Sequence, residues 1–227
     1  MEKLKPVATE RRRQMRNDIY RYIFYSKEPV SKQQIANALN VSRPTVLQNL
    51  LELEEAGLVE MAEIRESQGG RPPAAYVAKG DIKMALGVSL SANQLKFLLS
   101  DLKQNVLAYK EIDLEYQTDS DVFAITEEQL EVFLTENHVD RKRLLGVGIT
   151  IPGVFDENTK NLILSPTIKL KDFRIEEICK KIPYPLFFEN DGISGGVAEW
   201  LSRDAEEKKK DFVYLFLEEG VGGAIFL

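Results

Sequence analysis

Residues 41–60, VSRPTVLQNLLELEEAGLVE, restrict the fold more than any other part of the chain. Ser42 offers a side-chain oxygen where a helix can begin, Pro44 fits only a first helical turn, and Gly57 permits the left-handed backbone that ends a helix. Between them Val46, Leu50 and Leu53 recur at helical spacing. One stripe of this short helix must therefore face a core. The remaining surface near its N-terminal end is predicted to carry Ser42, Arg43, Thr45, Gln48 and Asn49.

Two further helical patterns precede it. RRRQMRNDIYRYIFYS places Met15, Ile19, Tyr22 and Ile23 on one stripe, and SKQQIANALN opens with Ser31 and has Gln34 three residues on, the spacing of a capping box. After Gly57 the alternating LVEMAEIRE, the break SQGGRPP and the resumed AAYVAK read as a hairpin. Helix, helix, turn, helix and hairpin make a winged helix-turn-helix. In that frame Arg43 is a residue type that grips guanine, Gln48 and Asn49 grip adenine, Thr45 can touch a thymine methyl or a phosphate, and Ser42 at the helix start completes the DNA-binding set. Arg71, stiffened by two prolines at the hairpin tip, suits a narrow minor groove. The bland alternative is an interaction domain built from the same elements.

Charge is divided unevenly. Residues 1–80 hold 13 Lys and Arg against 10 Asp and Glu, and the rest hold 17 against 26, so a mildly basic unit precedes an acidic one in a chain of net charge −6. No apolar run is long enough for a membrane helix and the N-terminus lacks a signal-peptide core, so a cytoplasmic protein with no membrane partner is expected. The single cysteine, Cys179, follows apolar spacing in RIEEICKKI and reads as a small core residue; one thiol builds neither a disulfide frame nor a metal cage within the chain. The lone His138 reads as a solvated loop residue.

From residue 84 the texture changes to MALGVSL, QLKFLLSDL and NVLAYKEIDLEY as strands, ITEEQLEVFLTENH as a helix and LLGVGITIPG as a strand. PLFFEN, DGISGGVAEWLS and DFVYLFLEEGVGGAIFL continue as strand, helix and strand-turn-strand. This is an α/β lobe. Glu189, Asn190 and Asp191 close a strand that leads into a helix, and Gly153 lies in a Pro-Gly turn after another, both places where ligands meet open α/β sheets. An amide beside a carboxylate suits sugar hydroxyls, although Asn190-Asp191 can equally be a plain helix cap.

A winged helix-turn-helix with GGRPP at its hairpin tip, followed by GVGITIPGVFDENT, PLFFENDGISGGVAEW and FVYLFLEEGVGGAIFL, resembles the repressor branch of the ROK family of repressors and sugar kinases along nearly the whole chain. The resemblance implies an actin-like, ribonuclease-H-like sugar-kinase fold behind the winged helix-turn-helix, with domains at 1–80 and 81–227. The first lobe would span about 81–205 and the second would begin at about 211–227. It also implies a sugar contact by Asp191, the position of the kinases' proton acceptor. The family's Asp-x-Gly-Gly-Thr phosphate turn is here Ser89, Ser91, Ala92 and Asn93, and Glu218 and Glu219 precede Gly220, Val221, Gly222 and Gly223 where a triphosphate would lie. Two carboxylates repel such a group, and these glycines read more simply as a tight hairpin turn. The expectation is therefore a regulator without catalytic residues, cofactor or metal, which binds a double-stranded DNA operator as a homodimer and answers to a small sugar effector. An active sugar kinase with a DNA-binding arm and a regulator that has lost its ligand are the alternatives. The family's His-Cys-Cys-Cys zinc site and the Glu and His that complete its sugar pocket have no counterpart in these 227 residues, so the chain reads as a fragment or as a protein whose second lobe is only begun.

Overall fold

Helix α1 (Val7–Tyr25), strand β1 (Val30–Ser31) and helices α2 (Lys32–Leu39) and α3 (Arg43–Glu55) are followed by strands β2 (Val59–Ala62) and β3 (Ala75–Ala78). The computed structural model describes residues 7–62, 74–114, 122–156, 158–159, 161–174, 176, 181–204, 206–217 and 220–227. It divides into two compact units, Met1–Ile82 and Lys83–Leu227.

In the first unit local signals fix the helix ends. Ser31 and Gln34 form the full capping box of α2, and the Ser42 side chain accepts from the Thr45 amide at the start of α3. Gly57 takes a φ of +70°, which a side chain would resist. Ile19 and Ile23 of α1, Ile35 of α2 and Val46, Leu50 and Leu53 of α3 are buried against Val59 and Tyr76. The strands form a small antiparallel sheet in the order β1-β3-β2. Glu52 on α3 pairs with Arg12 and Arg16 of α1, which ties the two helices together and holds the Glu52 carboxyl below its usual range, the Arg12 hydrogen bond contributing most. Two arginines of the basic N-terminal run are thus engaged inside the unit. Arg71 and the glycine-rich hairpin tip lie outside the described residues.

The second unit is built on a five-stranded sheet of β4 (Met84–Leu90), β5 (Gln94–Asp101), β6 (Val106–Asp113), β7 (Leu144–Ile151) and β11 (Leu186–Asn190), in the order β11-β7-β4-β5-β6. β4, β5 and β6 form an antiparallel meander, whereas β7 and β11 run parallel to β4. Helix α4 (Val122–Glu136) makes the crossover and covers one face, where Leu130, Phe133 and Leu134 bury Leu86, Val88, Phe97, Val147 and Ile149. Phe97 and Phe133 stack with ring centroids 5.4 Å apart. Strands β8 (Val154–Phe155), β9 (Leu162–Ser165) and β10 (Leu170–Phe173) form a small antiparallel sheet after β7.

Helix α5 (Asp191–Ser202) follows β11 directly and packs against the hairpin of β12 (Phe212–Leu217) and β13 (Val221–Phe226). Its glycines permit close approach: a Cβ on Gly192 would lie 2.6 Å from the Gly223 nitrogen, and one on Gly195 2.7 Å from the Tyr214 hydroxyl. The predicted turn role of the GVGG run is thereby corrected, because Gly222 and Gly223 lie within β13 and only Gly220 precedes it. Cys179 and most of the RIEEICKKI stretch lie outside the described residues, as do Glu218 and Glu219. His138 is exposed beyond the end of α4. No helix among the described residues is long and apolar enough to cross a membrane.

Candidate functional site

Helix α3 presents one polar and apolar edge to solvent. Ser42, Arg43, Pro44, Leu47 and Gln48 are exposed at its N-terminal end, and Thr45 is half-buried. The Ser42 and Thr45 hydroxyls lie 2.8 Å apart and engage one another, so these side chains set the helix start while Arg43 and Gln48 project outward. Asn49 departs from the expectation. It is only 4% exposed, and its amide donates to the Thr45 carbonyl at 2.8 Å. A side chain so enclosed cannot reach a base edge, and the physical reason is the width of the buried stripe: position 49 falls beside Val46, Leu50 and Leu53 rather than opposite them. Leu47 and Leu51, absent from the sequence-based site, are instead 40% and 56% exposed.

The second unit places three loop ends side by side. Because β4, β7 and β11 are parallel and adjacent, Ser91–Asn93, Pro152–Gly153 and Asn190–Asp191 follow their C-terminal ends along one edge of the sheet. They line a cleft of about 740 Å³ together with Gln94, Thr167, Phe216 and Gly222. That volume falls within the range of small-molecule sites, about 300–1,000 Å³.

Asn190 is the joint of this cleft. Its side-chain oxygen accepts from the Ile193 amide at 3.1 Å and caps α5, and its nitrogen donates to the Gly153 carbonyl at 2.9 Å. The helix-cap reading is met, and the same residue borders the cleft. Gly153 is further held through Ser165, whose hydroxyl donates to the Pro152 carbonyl. A Cβ on Gly153 would lie 2.7 Å from the Leu164 carbonyl oxygen, so the glycine is needed for packing on β9 as well as for the turn. One oxygen of Asp191 accepts from the Gly192 amide at 2.9 Å, and the residue sits in the first turn of α5, where the helix dipole favours a carboxylate.

Glu189 is a second correction. Strand alternation turns it away from Asn190 to the exposed side of β11, where its carboxylate accepts only from the Asn190 backbone amide at 2.9 Å among the described contacts. It does not line the cleft. Glu189, Asn190 and Asp191 are consecutive but do not form one cluster, because neighbours on a strand point to opposite faces. Of the polar lining, Ser91 and Asn93 fall where the resemblance places the phosphate turn, whereas Gln94 at the start of β5 and Thr167 after β9 carry no sequence signal of a ligand. Among the described residues no group of three or more metal-ligating side chains occurs.

A three-helix unit with a β-hairpin, joined to a ribonuclease-H-like sheet with a cleft at its parallel strand ends, defines an actin-like sugar-kinase fold carrying an N-terminal DNA-binding domain. Residues 85–227 match the family model described as "ROK family", and the chain belongs to that family. Residues 17–66 match the model "Iron dependent repressor, N-terminal DNA binding domain". Among curated proteins, the chain is 22% identical over 201 residues to the xylose repressor of Caldicellulosiruptor bescii, covering 87% of this chain and 50% of that protein. It is 23% identical over 198 residues to the DNA-binding transcriptional dual regulator NagC of Escherichia coli K12, covering 87% and 48%. A solved ROK family transcriptional regulator, a homolog of the Escherichia coli MLC protein, shares the fold with a TM-score of 0.71 at 23% identity, covering 95% of this chain and 55% of that one. The ROK hexokinase of Thermus thermophilus aligns with a TM-score of 0.50 at 23% identity over 63% of this chain and 47% of its own. The chain thus spans about half the length of the curated relatives it matches.

Proposed function

We propose that this chain works as a sugar-responsive DNA-binding repressor of carbohydrate genes. The observation that carries the reading is the pairing, in one chain, of an exposed reading edge on α3 with a strand-end cleft whose phosphate-turn positions are occupied by Ser91, Ala92 and Asn93. Relatives named xylose repressor and N-acetylglucosamine repressor support it.

In this reading Arg43 and Gln48 contact base edges, Ser42 and Thr45 order the helix start against the phosphate backbone, and Arg71 enters the neighbouring minor groove. Asn49 and Glu189 drop out of the contact sets for the reasons given above. Asp191 accepts a hydrogen bond from a sugar hydroxyl, Asn190 and Gly153 hold the turn that borders the sugar, and Ser91, Asn93, Gln94 and Thr167 supply further polar contacts. Phosphoryl transfer rests on a phosphate cradle and a held metal ion. With the acid and both glycines of that turn replaced, binding persists without catalysis. One reading helix spans few base pairs, so useful specificity calls for two copies on a two-fold operator. The sugar acts by binding the two states of the protein with different affinity.

The test is selection of duplexes from a random library by the full chain, followed by titration of the selected complex with a panel of monosaccharides and sugar phosphates. An enriched two-fold site whose affinity changes with one ligand supports the proposal. Absence of any enriched duplex overturns it, and sugar-dependent ATP hydrolysis would point to a kinase instead.

A further inference from the structure

The reading edge of α3 is more apolar than a phosphate-binding or hydrogen-bonding surface requires. Pro44, Leu47 and Leu51 follow one another at i, i+3 and i+7 on the exposed face, with Leu47 40% and Leu51 56% open to solvent. Helix geometry stacks these positions in one row. Gln48 stands beside the row, and Arg43 begins it. None of these apolar side chains is needed for the core, which is already filled by Val46, Leu50 and Leu53 from the opposite stripe.

The surroundings of the row identify what can cover it. Lys32 and Gln33 at the start of α2 and Arg43, Pro44 and Leu47 at the start of α3 border one concave surface, so two helix N-termini and two cationic side chains frame the apolar centre. Such a frame favours a polyanion. A second copy of this chain would bring its own Lys32 and Arg43 against the same cations, which disfavours a symmetric contact between copies. A nucleic-acid major groove satisfies both requirements at once. Its rims are phosphates, and the one apolar group that it displays is the thymine 5-methyl.

We infer that Pro44 and Leu47 form an apolar reading edge for thymine methyl groups, so that each operator half-site contains at least one T·A pair whose methyl packs on Leu47. This rests on the DNA-binding reading given above. It adds a specificity that Arg43 and Gln48 do not supply: a bidentate amide reads adenine through hydrogen bonds, whereas Leu47 recognises the methyl by burying it. Removal of one buried methyl-sized group weakens an interaction by about 0.8 kcal/mol, or about four-fold in affinity.

The experiment uses the full chain and a duplex selected by it from a random library. Each thymine in a half-site is replaced singly by deoxyuridine, which removes the methyl and keeps every hydrogen-bonding group. At one or two positions the wild-type chain is expected to lose about four-fold in affinity. Leu47→Ala and Leu47→Gln are each expected to bind the thymine and deoxyuridine duplexes equally. If no deoxyuridine position weakens wild-type binding, or if the discrimination persists in both variants, the inference is overturned while DNA recognition stands. If no duplex is enriched at all, the DNA-binding function and the inference fall together. If Leu47→Ala instead breaks up an oligomer in the absence of DNA, the edge serves a second copy of the chain and the inference fails.

Discussion

Replacing Asn190 with alanine removes two hydrogen bonds that meet at one side chain. The first is the cap to the Ile193 amide at 3.1 Å, and the second is the strap to the Gly153 carbonyl at 2.9 Å. Loss of a helix cap costs about 1 kcal/mol, and loss of a neutral hydrogen bond costs about 1 kcal/mol more, so Asn190→Ala should destabilise the Lys83–Leu227 unit by about 2 kcal/mol. Asn190→Asp separates the two. It keeps the cap acceptor and suits the helix dipole, but it sets a carboxylate oxygen against the Gly153 carbonyl, so a loss of about 1–2 kcal/mol should remain. That loss should shrink in acid, where a protonated carboxyl can donate to the carbonyl again. Trp200, the single tryptophan, lies on α5 and reports on this unit alone. Urea unfolding followed by its fluorescence should show the midpoint of Asn190→Ala about 1 M lower, given a slope of about 2 kcal/mol per M. An alanine variant within about 0.5 kcal/mol of wild type, the usual scatter of surface substitutions, would refute the joint role assigned to Asn190.

Other consequences can be checked separately. Asp191→Asn, close to isosteric, should abolish the effect of the best sugar on the selected DNA complex while leaving ligand-free DNA affinity nearly unchanged; a full response in the variant reduces Asp191 to a helix-start residue. Gln48→Ala should relax base preference by about 1–3 kcal/mol at one position, read by competition among single-base variants of the selected duplex. Gly192→Ala gains up to about 1 kcal/mol of helix propensity, but its Cβ would lie 2.6 Å from the Gly223 nitrogen, where backbone cannot yield. The clash costs about 1–3 kcal/mol, so net destabilisation is expected in the same urea assay. Glu52 is held below its usual carboxylate range in the folded state. Its stabilising contribution is therefore complete above that range and lost as pH falls through the lower folded-state value; Glu52→Gln should flatten this acid dependence in a circular-dichroism melt of the helices.

Local chemistry determined much of this protein before any tertiary contact was known. Ser31 with Gln34, Ser42 with Pro44, and Gly57 mark helix ends within a few residues of themselves, so α2 and α3 were legible from spacing alone. The apolar stripe of α3 was equally legible, because Val46, Leu50 and Leu53 recur with the helical period. The order of strands and helices after residue 84 was readable from the change of period, and the motifs indicated the family. Tertiary structure decided which side chains are exposed on α3 and which line the cleft. Asn49 is buried because the core around α3 is wider than three positions, and Glu189 leaves the cleft because neighbours on β11 face opposite sides. The cleft itself required the parallel order β11-β7-β4, which brings loops up to about a hundred residues apart in sequence to one edge. Ser91, Asn93, Thr167 and Phe216 come to line one cleft only through that pairing, since a period or a cap is set by a residue's immediate neighbours whereas a cleft is set by residues that the chain brings together from afar.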